Sequence, residues 1–428
     1  MSVQSYDLQA PSQPIHRVSS SRANENPQGE WNGRAVTETK KLQQSDPLQS
    51  ETVCFQKLQA TSGKQSKSLK RSLSQVIDLS TSSTRTSKHS AKKQKKREME
   101  VMFVHGKDDH IDTYANCIDD ADSHIIIASW NLNFIDKTIF SSLMKAKRRE
   151  VSISLVVKSV RRQETLDCFY GDEDSSSDYY FHLSETKSHA KFLFVDSKTL
   201  VLGSYNALGD SYDESLDASV MLKGTVEQLW PFYMSIYETY TSIGEDLGGI
   251  FDGIAMISKV RNPGPRSLLQ RSFEDGGKIF LLRTIQEHEE FLRLATPYNG
   301  DVSIYSPFST RDNTLKRLQA LEKILPTSVK VSLKVLPEFA NGLTRLLAKV
   351  PNLQNRVSVE ISPSHQKVVV LGTETICIGS LNWLSAAQDS NAHYSNAELS
   401  IVLQGAKADK IIKKFYSAKN ASTSVDKQ

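Results

Sequence analysis

The stretch Ser188-His189-Ala190-Lys191 occurs a second time, with the same chemistry, as Ser364-His365-Gln366-Lys367. Each copy is followed by an apolar run and then by a second motif, Gly203-Ser204-Tyr205-Asn206 or Gly379-Ser380-Leu381-Asn382. In both copies the histidine lies 14 residues before the glycine and 17 before the asparagine. Because residue types and spacing repeat together, the chain is predicted to contain two copies of one unit that face each other across a shared site.

The repeat extends over whole secondary-structure elements, which predicts an α/β fold for each copy. Each copy shows a β-type run, an amphipathic stretch and a second β-type run in the same order. These elements are predicted at residues 125–129, 137–149 and 151–157 in the first copy and at 302–306, 314–323 and 329–335 in the second. We therefore expect two half-domains, each a mixed β-sheet flanked by helices, related by a pseudo-twofold axis.

Composition divides the chain into five segments. The N-terminal segment is rich in Ser, Gln and Lys and has too few large apolar side chains to offset the entropy of ordering, which predicts a disordered arm. Pro263, Pro265 and the adjacent Gly276 and Gly277 indicate a connection between the halves. The predicted arm, first half, linker, second half and disordered tail are residues 1–98, 99–257, 258–277, 278–420 and 421–428, respectively.

The rest of the composition excludes several classes of protein. The four cysteines have no paired spacing typical of a zinc or redox site, so no metal or cofactor is expected. No apolar run reaches the roughly 20 residues of a transmembrane helix, and the polar N-terminus lacks a signal-peptide core. The sequence predicts a soluble intracellular protein of the nucleus or cytoplasm.

The arm contains two segments that suggest partners. Six basic residues fall between Lys88 and Arg97 in a chain of net charge +4, which is typical of a nuclear import signal or a nucleic-acid tether; a solvated linker is the alternative. The short apolar segment from Val76 to Ser80 is similar to peptides that add a strand to a partner's sheet, as SUMO-interacting segments do. Import-receptor and SUMO-like contacts are therefore candidate interactions of the arm.

The duplicated motifs resemble the signature of the phospholipase D superfamily, His-x-Lys-x4-Asp followed by Gly-Ser-x-Asn, which occurs twice per active site. The resemblance covers residues 100 to 420. In the first copy His189, Lys191 and Asp196 complete the signature. In the second copy Gly372 occupies the position of the aspartate. The resemblance implies a phosphodiesterase of the hydrolase class that uses no metal.

The resemblance also implies roles for the repeated side chains. His189 would attack phosphorus to form a phosphohistidine, and His365 would protonate the leaving oxygen and then activate water. An imidazole suits both roles because its pKa lies near neutrality. The side chains expected to hold the phosphate oxygens are Lys191, Lys367, Asn206, Asn382, Ser204 and Ser380.

A nucleophilic histidine needs a carboxylate on its far nitrogen to fix its tautomer. Asp217 and Glu398 are the candidates, because each lies seven residues before a glycine at an equivalent point of its copy. The sequence does not assign either acid to a particular histidine. If these acids orient the histidines, the missing aspartate at Gly372 affects stability or positioning more than chemistry.

Three functions remain open at this point. The basic arm favours a nuclease or an enzyme that processes DNA or RNA ends. Basic segments also bind anionic lipid, so a phospholipase D-type lipid phosphodiesterase is the alternative. The departure at Gly372 raises a third possibility, a degenerate phosphate-binding protein, although both histidines, both lysines and both acids are present.

Overall fold

The protein is described by a computed structural model. The structure describes residues 98–133, 135–161, 181–209, 216–242, 269–386 and 397–425, together with residues 164, 167 and 169. The predicted arm therefore lies outside the described residues, except for its last one, as do its basic run and the segment from Val76 to Ser80. Among the described helices, none has both the length and the apolar character needed to cross a bilayer.

The first half is a seven-stranded mixed sheet in the order β1-β7-β6-β5-β2-β3-β4. Its strands β1 to β7 are Glu100–His105, His124–Leu132, Ser152–Val160, Phe181–Glu185, Phe192–Val195, Thr199–Gly203 and Ala218–Lys223. Its helices α1 to α3 are Lys107–Asp119, Lys137–Arg148 and Val226–Ser242. β2, β3 and β4 are parallel to one another, and the remaining neighbours pair antiparallel.

The second half is an eight-stranded sheet whose order is β8-β9-β15-β14-β13-β10-β11-β12. Its strands β8 to β15 are Leu269–Ser272, Lys278–Leu282, Val302–Tyr305, Val331–Val335, Val357–Ile361, Val368–Leu371, Thr375–Gly379 and Ser400–Gln404. Its helices α4 to α8 are Ile285–Asn299, Arg311–Ile324, Pro337–Leu347, Pro351–Gln354 and Ala406–Val425. Apart from the edge strand β8, each strand has a counterpart of the same order and direction in the first half.

The two sheets share a central core. Their inner faces contribute buried side chains such as Phe192, Leu202, Val368 and Ile401 to one apolar cluster, which also includes residues of α3 and α8. The outer faces pack separately, the first on α1 and α2 and the second on α4, α5, α6 and α7. The predicted fold class, two α/β halves with mixed sheets, is confirmed.

Close packing at the end of β6 and β14 explains the glycine of each Gly-Ser-x-Asn motif. A Cβ on Gly203 would lie 2.2 Å from Ser219 Oγ, and a Cβ on Gly379 would lie 2.0 Å from Ser400 Oγ. Both serine hydroxyls are fixed by buried histidines, because His110 Nε2 lies 2.8 Å from Ser219 Oγ and an equivalent histidine of α4 contacts Ser400. No larger side chain fits at either glycine.

Both predicted helices and all four predicted β-type runs are present near their expected bounds. The linker prediction partly overlaps a strand: residues 269–277 form β8 and the turn into β9, while 258–268 lie outside the described residues. The tail prediction began too early, because α8 continues to Val425 and no Gly or Pro interrupts it after Ala406.

Asp196 lies in the turn between β5 and β6, where its side chain hydrogen-bonds to the connection that precedes β2 and to the first residue of β2. Its carboxylate accepts the backbone N–H groups of Asp122, Ser123 and His124 at 2.8–3.0 Å and the Ser123 hydroxyl at 2.7 Å. Burial raises the pKa of Asp196, but these hydrogen bonds outweigh it and leave the pKa below its usual 3.8. Gly372, with φ 56°, occupies the equivalent position after β13.

Replacement of Asp196 by Ala is expected to reduce the free energy of unfolding by about 2 kcal/mol, because charge-assisted hydrogen bonds to three backbone N–H groups are lost. The pKa of Asp196 is lower in the folded than in the unfolded protein. This stabilisation is therefore fully present at pH values above the unfolded-state pKa and is lost as the pH falls through the folded-state pKa. Urea unfolding at neutral and acid pH measures both effects. Asp122→Ala, which removes a neighbouring exposed carboxylate, should change stability by less than about 0.5 kcal/mol. Equal stability of the two variants would contradict this role.

Candidate active site

The two His-x-Lys motifs lie at the contact between the halves. Each motif leads into the first strand of an antiparallel hairpin, β5 or β13. The backbone N–H of His189 donates to the carbonyl of Ala397 in the other half at 3.0 Å. Ser188 Oγ reaches the same carbonyl at 3.2 Å, and Ser364 Oγ reaches Leu216 O at 3.2 Å in the reciprocal contact. Each motif is therefore anchored on the opposite half.

The imidazole of His189 is oriented by a carboxylate from the second half. His189 Nδ1 lies 3.1 Å from Glu398 Oε1 and 3.3 Å from Oε2, and 4% of the Glu398 side chain is exposed. The other ring nitrogen, Nε2, lies 3.2 Å from Lys191 Nζ. The carboxylate therefore holds the proton on Nδ1 and leaves the Nε2 lone pair available to a phosphorus atom.

The imidazole of His365 is oriented in the same way by a carboxylate from the first half. His365 Nδ1 lies 3.2 Å from Asp217 Oδ1, and His365 Nε2 lies 3.3 Å from Lys367 Nζ. Both candidate acids therefore contact a histidine, and each contacts the histidine of the opposite half.

The motif serines hold these acids rather than face open space. Ser204 Oγ donates to Asp217 Oδ1 at 2.6 Å, and Ser380 Oγ donates to Glu398 Oε2 at 2.5 Å. Each hydroxyl also accepts a backbone N–H, from Ala218 or Leu399, at 3.1 Å. Because these hydroxyls are already saturated and buried, Ser204 and Ser380 position the carboxylates, whereas the sequence suggested that they would hold phosphate oxygens.

Burial and mutual repulsion shift the pKa values of the basic side chains. Burial, with Lys191 beside it, lowers the pKa of His189 to about 4. Burial also lowers the pKa of Lys191 to about 7, with a contribution from Lys367, and that of Lys367 to about 8. The pKa of His365 is lowered by burial and by Lys367. At neutral pH the His189 ring is neutral, as a nucleophile requires.

The two acids remain ionised despite their burial. Burial alone would raise the pKa of Asp217, but its bond to His365 and the charge of Lys367 lower it. Burial is likewise outweighed at Glu398 by His189 and Lys191, so its pKa is lowered. Two buried carboxylates therefore compensate two buried lysines.

The asparagines of the two motifs are held differently. Asn206 Oδ1 accepts the backbone N–H of Trp130 at 3.3 Å, which fixes the side-chain amide. Pro307 occupies the position equivalent to Trp130 and has no N–H to donate. Asn382 Oδ1 is consequently buried without a hydrogen-bond partner among the described residues. The first half therefore presents the better oriented amide to a substrate.

An aromatic ring packs against each imidazole, a feature that the sequence analysis did not identify. The ring centre of Trp130 lies 4.5 Å from that of His189, in an edge-to-face arrangement with an interplanar angle of 81°. Phe308 packs against His365 at 5.6 Å and 73°. Trp130 lies near the end of β2, whereas Phe308 follows β10 and is one position later than the residue equivalent to Trp130. The repeat therefore does not align the two rings and gave no signal for them.

A second histidine repeat was also missed. His110 and His288, taken singly, resemble ordinary structural or surface residues, yet they occupy equivalent positions on α1 and α4. His288 Nε2 lies 2.8 Å from Ser400 Oγ, which reproduces the contact of His110 with Ser219. Their spacing to the motif strands is nearly equal in the two copies, which could have revealed them. They support the strands that carry Asp217 and Glu398.

Asp196 is the one predicted site residue that the structure does not bring to the site. It lies at the other end of β5 from Lys191, about 16 Å away at the usual rise per residue. The difference between the two copies at Gly372 therefore does not touch the histidines. Within the described part of the chain, no three His, Cys, Asp or Glu side chains form a group able to hold a metal ion.

The chain matches a number of solved structures, and three of them serve for comparison. The phosphatidylserine synthase of Haemophilus influenzae Rd KW20 has a TM-score of 0.52 and 12% identity over 75% of this chain and 85% of its own. A polyphosphate kinase from Porphyromonas gingivalis has a TM-score of 0.47 and 13% identity over 74% of this chain. The phospholipase D family member Nuc from Salmonella typhimurium has a TM-score of 0.27 and 16% identity over 34% of this chain and 95% of its own.

The chain spans about half the length of the polyphosphate kinase, 49%. No curated protein matches it in sequence. A family model described as "Cardiolipin synthase, PLD-like domain" matches residues 114–232, which include the first His-x-Lys and Gly-Ser-x-Asn motifs. The matched segment is therefore similar to a phospholipase D-like domain, and the two-half fold is shared with the phosphatidylserine synthase.

Proposed function

We propose that the protein is a metal-independent phosphodiesterase that works through a phosphohistidine, with nucleic acid as its substrate. The observation that carries the proposal is the pair of crossed contacts, in which Glu398 orients His189 and Asp217 orients His365. Two imidazoles with fixed tautomers, each beside a buried lysine, provide a nucleophile, an acid and charge neutralisation in one cleft.

In the first step, Nε2 of neutral His189 attacks phosphorus and forms an N–P bond as the P–O bond to the leaving group breaks. His365, as the imidazolium, donates its Nε2 proton to the departing oxygen. Burial and Lys367 lower the pKa of His365, whereas Asp217 and the negative charge of a bound phosphodiester raise it and so favour the cation in the complex. Lys191 and Lys367 neutralise the non-bridging oxygens.

In the second step, neutral His365 takes a proton from water, and the water oxygen attacks phosphorus. The N–P bond breaks and its electron pair returns to His189 Nε2. The product is a phosphate monoester, and His365 is again protonated. Asn206, fixed by the Trp130 N–H, donates from its amide to a phosphate oxygen in both steps.

Nucleic acid is favoured as the substrate by the basic run from Lys88 to Arg97, which would attract a polyanion. A lipid phosphodiester is the second candidate. It is favoured by the matched family model, named for cardiolipin synthase, and by the fold shared with a phosphatidylserine synthase. Ile361, which is 63% exposed at the end of β12, adds an apolar side chain just before the second motif.

The mechanism predicts that His189→Ala lowers kcat on a generic phosphodiester reporter by about 10⁴-fold or more, because the nucleophile is lost. Activity of the unmodified protein should be unchanged in EDTA.

His365→Asn should still form the phosphoenzyme but release it slowly, so that labelled phosphate remains on His189 after denaturation in alkali. Label on His365 would reverse the assigned roles. A requirement for divalent metal would exclude the mechanism.

The lysine pKa values predict a pH dependence for anion binding. Below about pH 7 both Lys191 and Lys367 carry charge, and above about pH 8 both lose it, so affinity for tungstate, a phosphate mimic, should fall as the pH rises through this window. Competition of tungstate with the reporter at several pH values measures the affinity. Lys191→Arg, which stays protonated, should shift the decline to higher pH. Constant affinity across the window would contradict the shifted values.

The choice of substrate is tested by parallel assays on single-stranded DNA, double-stranded DNA, RNA and phosphatidylcholine. We expect cleavage of at least one nucleic acid and none of the lipid, with the activity abolished by His189→Ala. Loss of residues 88–97 should reduce activity on nucleic acid more at low than at high salt, because salt screens the phosphate contacts that these basic residues would make. Cleavage of the lipid alone would replace the first candidate with the second.

A further inference from the structure

One cation beside the active site has no role in the mechanism above. Lys158, near the end of β3, is partly buried, and its Nζ lies 4.0 Å from the centre of the Trp130 ring. It forms no ion pair with any residue in the described part of the chain. A cation on an aromatic face is held in place at a known position, unlike a lysine that extends freely into water.

The strand register places Lys158 at the active-site end of the first sheet. β2 and β3 are parallel, with Ser129 opposite Val157 and Asn131 opposite Ser159, so Lys158 lies beside Trp130. Both side chains are on the sheet face that packs between the halves, because Val156, two residues before Lys158 in β3, belongs to the central core. Ligands bind beyond the carboxyl ends of parallel strands in α/β sheets, and the pair occupies such an end.

Trp130 connects this cation to the reacting group. One part of its ring contacts His189, and Lys158 lies over the ring face. The same indole ring therefore contacts both the ammonium group and the nucleophilic imidazole. Burial lowers the pKa of Lys158, and the charge of Glu398 opposes that shift, which shows that Lys158 lies within the field of the site.

The second half has no equivalent cation. Pro307 occupies the position of Trp130, and Leu336, whose N–H donates to Pro307 O at 3.2 Å, occupies that of Lys158. The neighbouring rings there are Phe308 and Phe339, whose centres are 5.8 Å apart. One side of the cleft is therefore cationic and the other apolar, although the catalytic groups between them are nearly symmetric.

We propose that Lys158, held on Trp130, binds a second phosphate of the substrate, the neighbour of the scissile phosphate in a nucleic-acid strand. This subsite rests on the proposed function and specifies the substrate more closely. An ammonium group recognises phosphate as a point charge and tolerates any base, so the subsite selects for a strand rather than for a sequence. The occupied indole face leaves less room for a stacked base there.

The test compares dithymidine monophosphate, whose only phosphate is the scissile one, with the same dinucleotide carrying an added 5′ or 3′ phosphate. We expect kcat/KM to be about tenfold higher for one of the doubly charged substrates, the usual effect of a charge-assisted contact. Lys158→Met keeps the side chain's length but removes its charge, and should reduce this ratio to about one. Lys158→Arg should restore most of it.

Lys198→Met is the matched control, because Lys198 is exposed at the opposite end of the first sheet. It should leave the ratio as in the unmodified protein. On long single-stranded DNA, Lys158→Met should also reduce the slope of log(kcat/KM) against log salt by about 0.7, the value for one lost phosphate contact. A change in stability alone would not alter either the ratio or the slope.

The outcomes separate this subsite from the proposed function. If no dinucleotide and no phosphodiester reporter is cleaved, the proposed function fails. If the reporter and dithymidine monophosphate are cleaved but the added phosphate has no effect, or if Lys158→Met retains the preference, the subsite is excluded while the function stands. A preference for cardiolipin, which carries two phosphates, over every dinucleotide would assign the second phosphate to a lipid and overturn the proposal.

Discussion

The site depends on two hydrogen bonds that cross between the halves, from His189 to Glu398 and from His365 to Asp217. Each half contains a histidine without its acid and an acid without its histidine. Neither half alone therefore has an imidazole with a fixed tautomer. The serines Ser188 and Ser364, which bind carbonyls of the opposite half, align the same contact. Assembly of the catalytic groups and docking of the two sheets are consequently one event.

The crossed arrangement also explains how several charges can be buried together. Lys191 and Lys367 are each 1% exposed, and isolated ammonium groups at such positions would lose their protons. The ionised Glu398 and Asp217 offset part of that penalty. The lysine pKa values nevertheless remain lowered, so a bound anion, which favours the charged form of each lysine, would raise them again.

The repeat in the sequence was sufficient to predict the fold class, the helices and strands around the motifs, and the side chains that meet in the cleft. It could not show that Glu398 contacts His189, 209 residues away, rather than His365, 33 residues away, because a repeat is compatible with either pairing. Asp196 was grouped with the site because it completes the motif signature, whereas the extended strand β5 separates it from Lys191. The ring of Trp130 follows a predicted strand, but sequence spacing does not reveal which face it occupies.

The replacement of Trp130 by Pro307 in the second copy has a consequence for assembly. A symmetric homodimer built from one such half must present the same residues on both sides of its twofold axis, so any change in one wall of its cleft appears in the other. A single chain with both halves is free of that restriction. It can keep the reacting groups paired while its two walls differ, and so can distinguish one end of a bound molecule from the other.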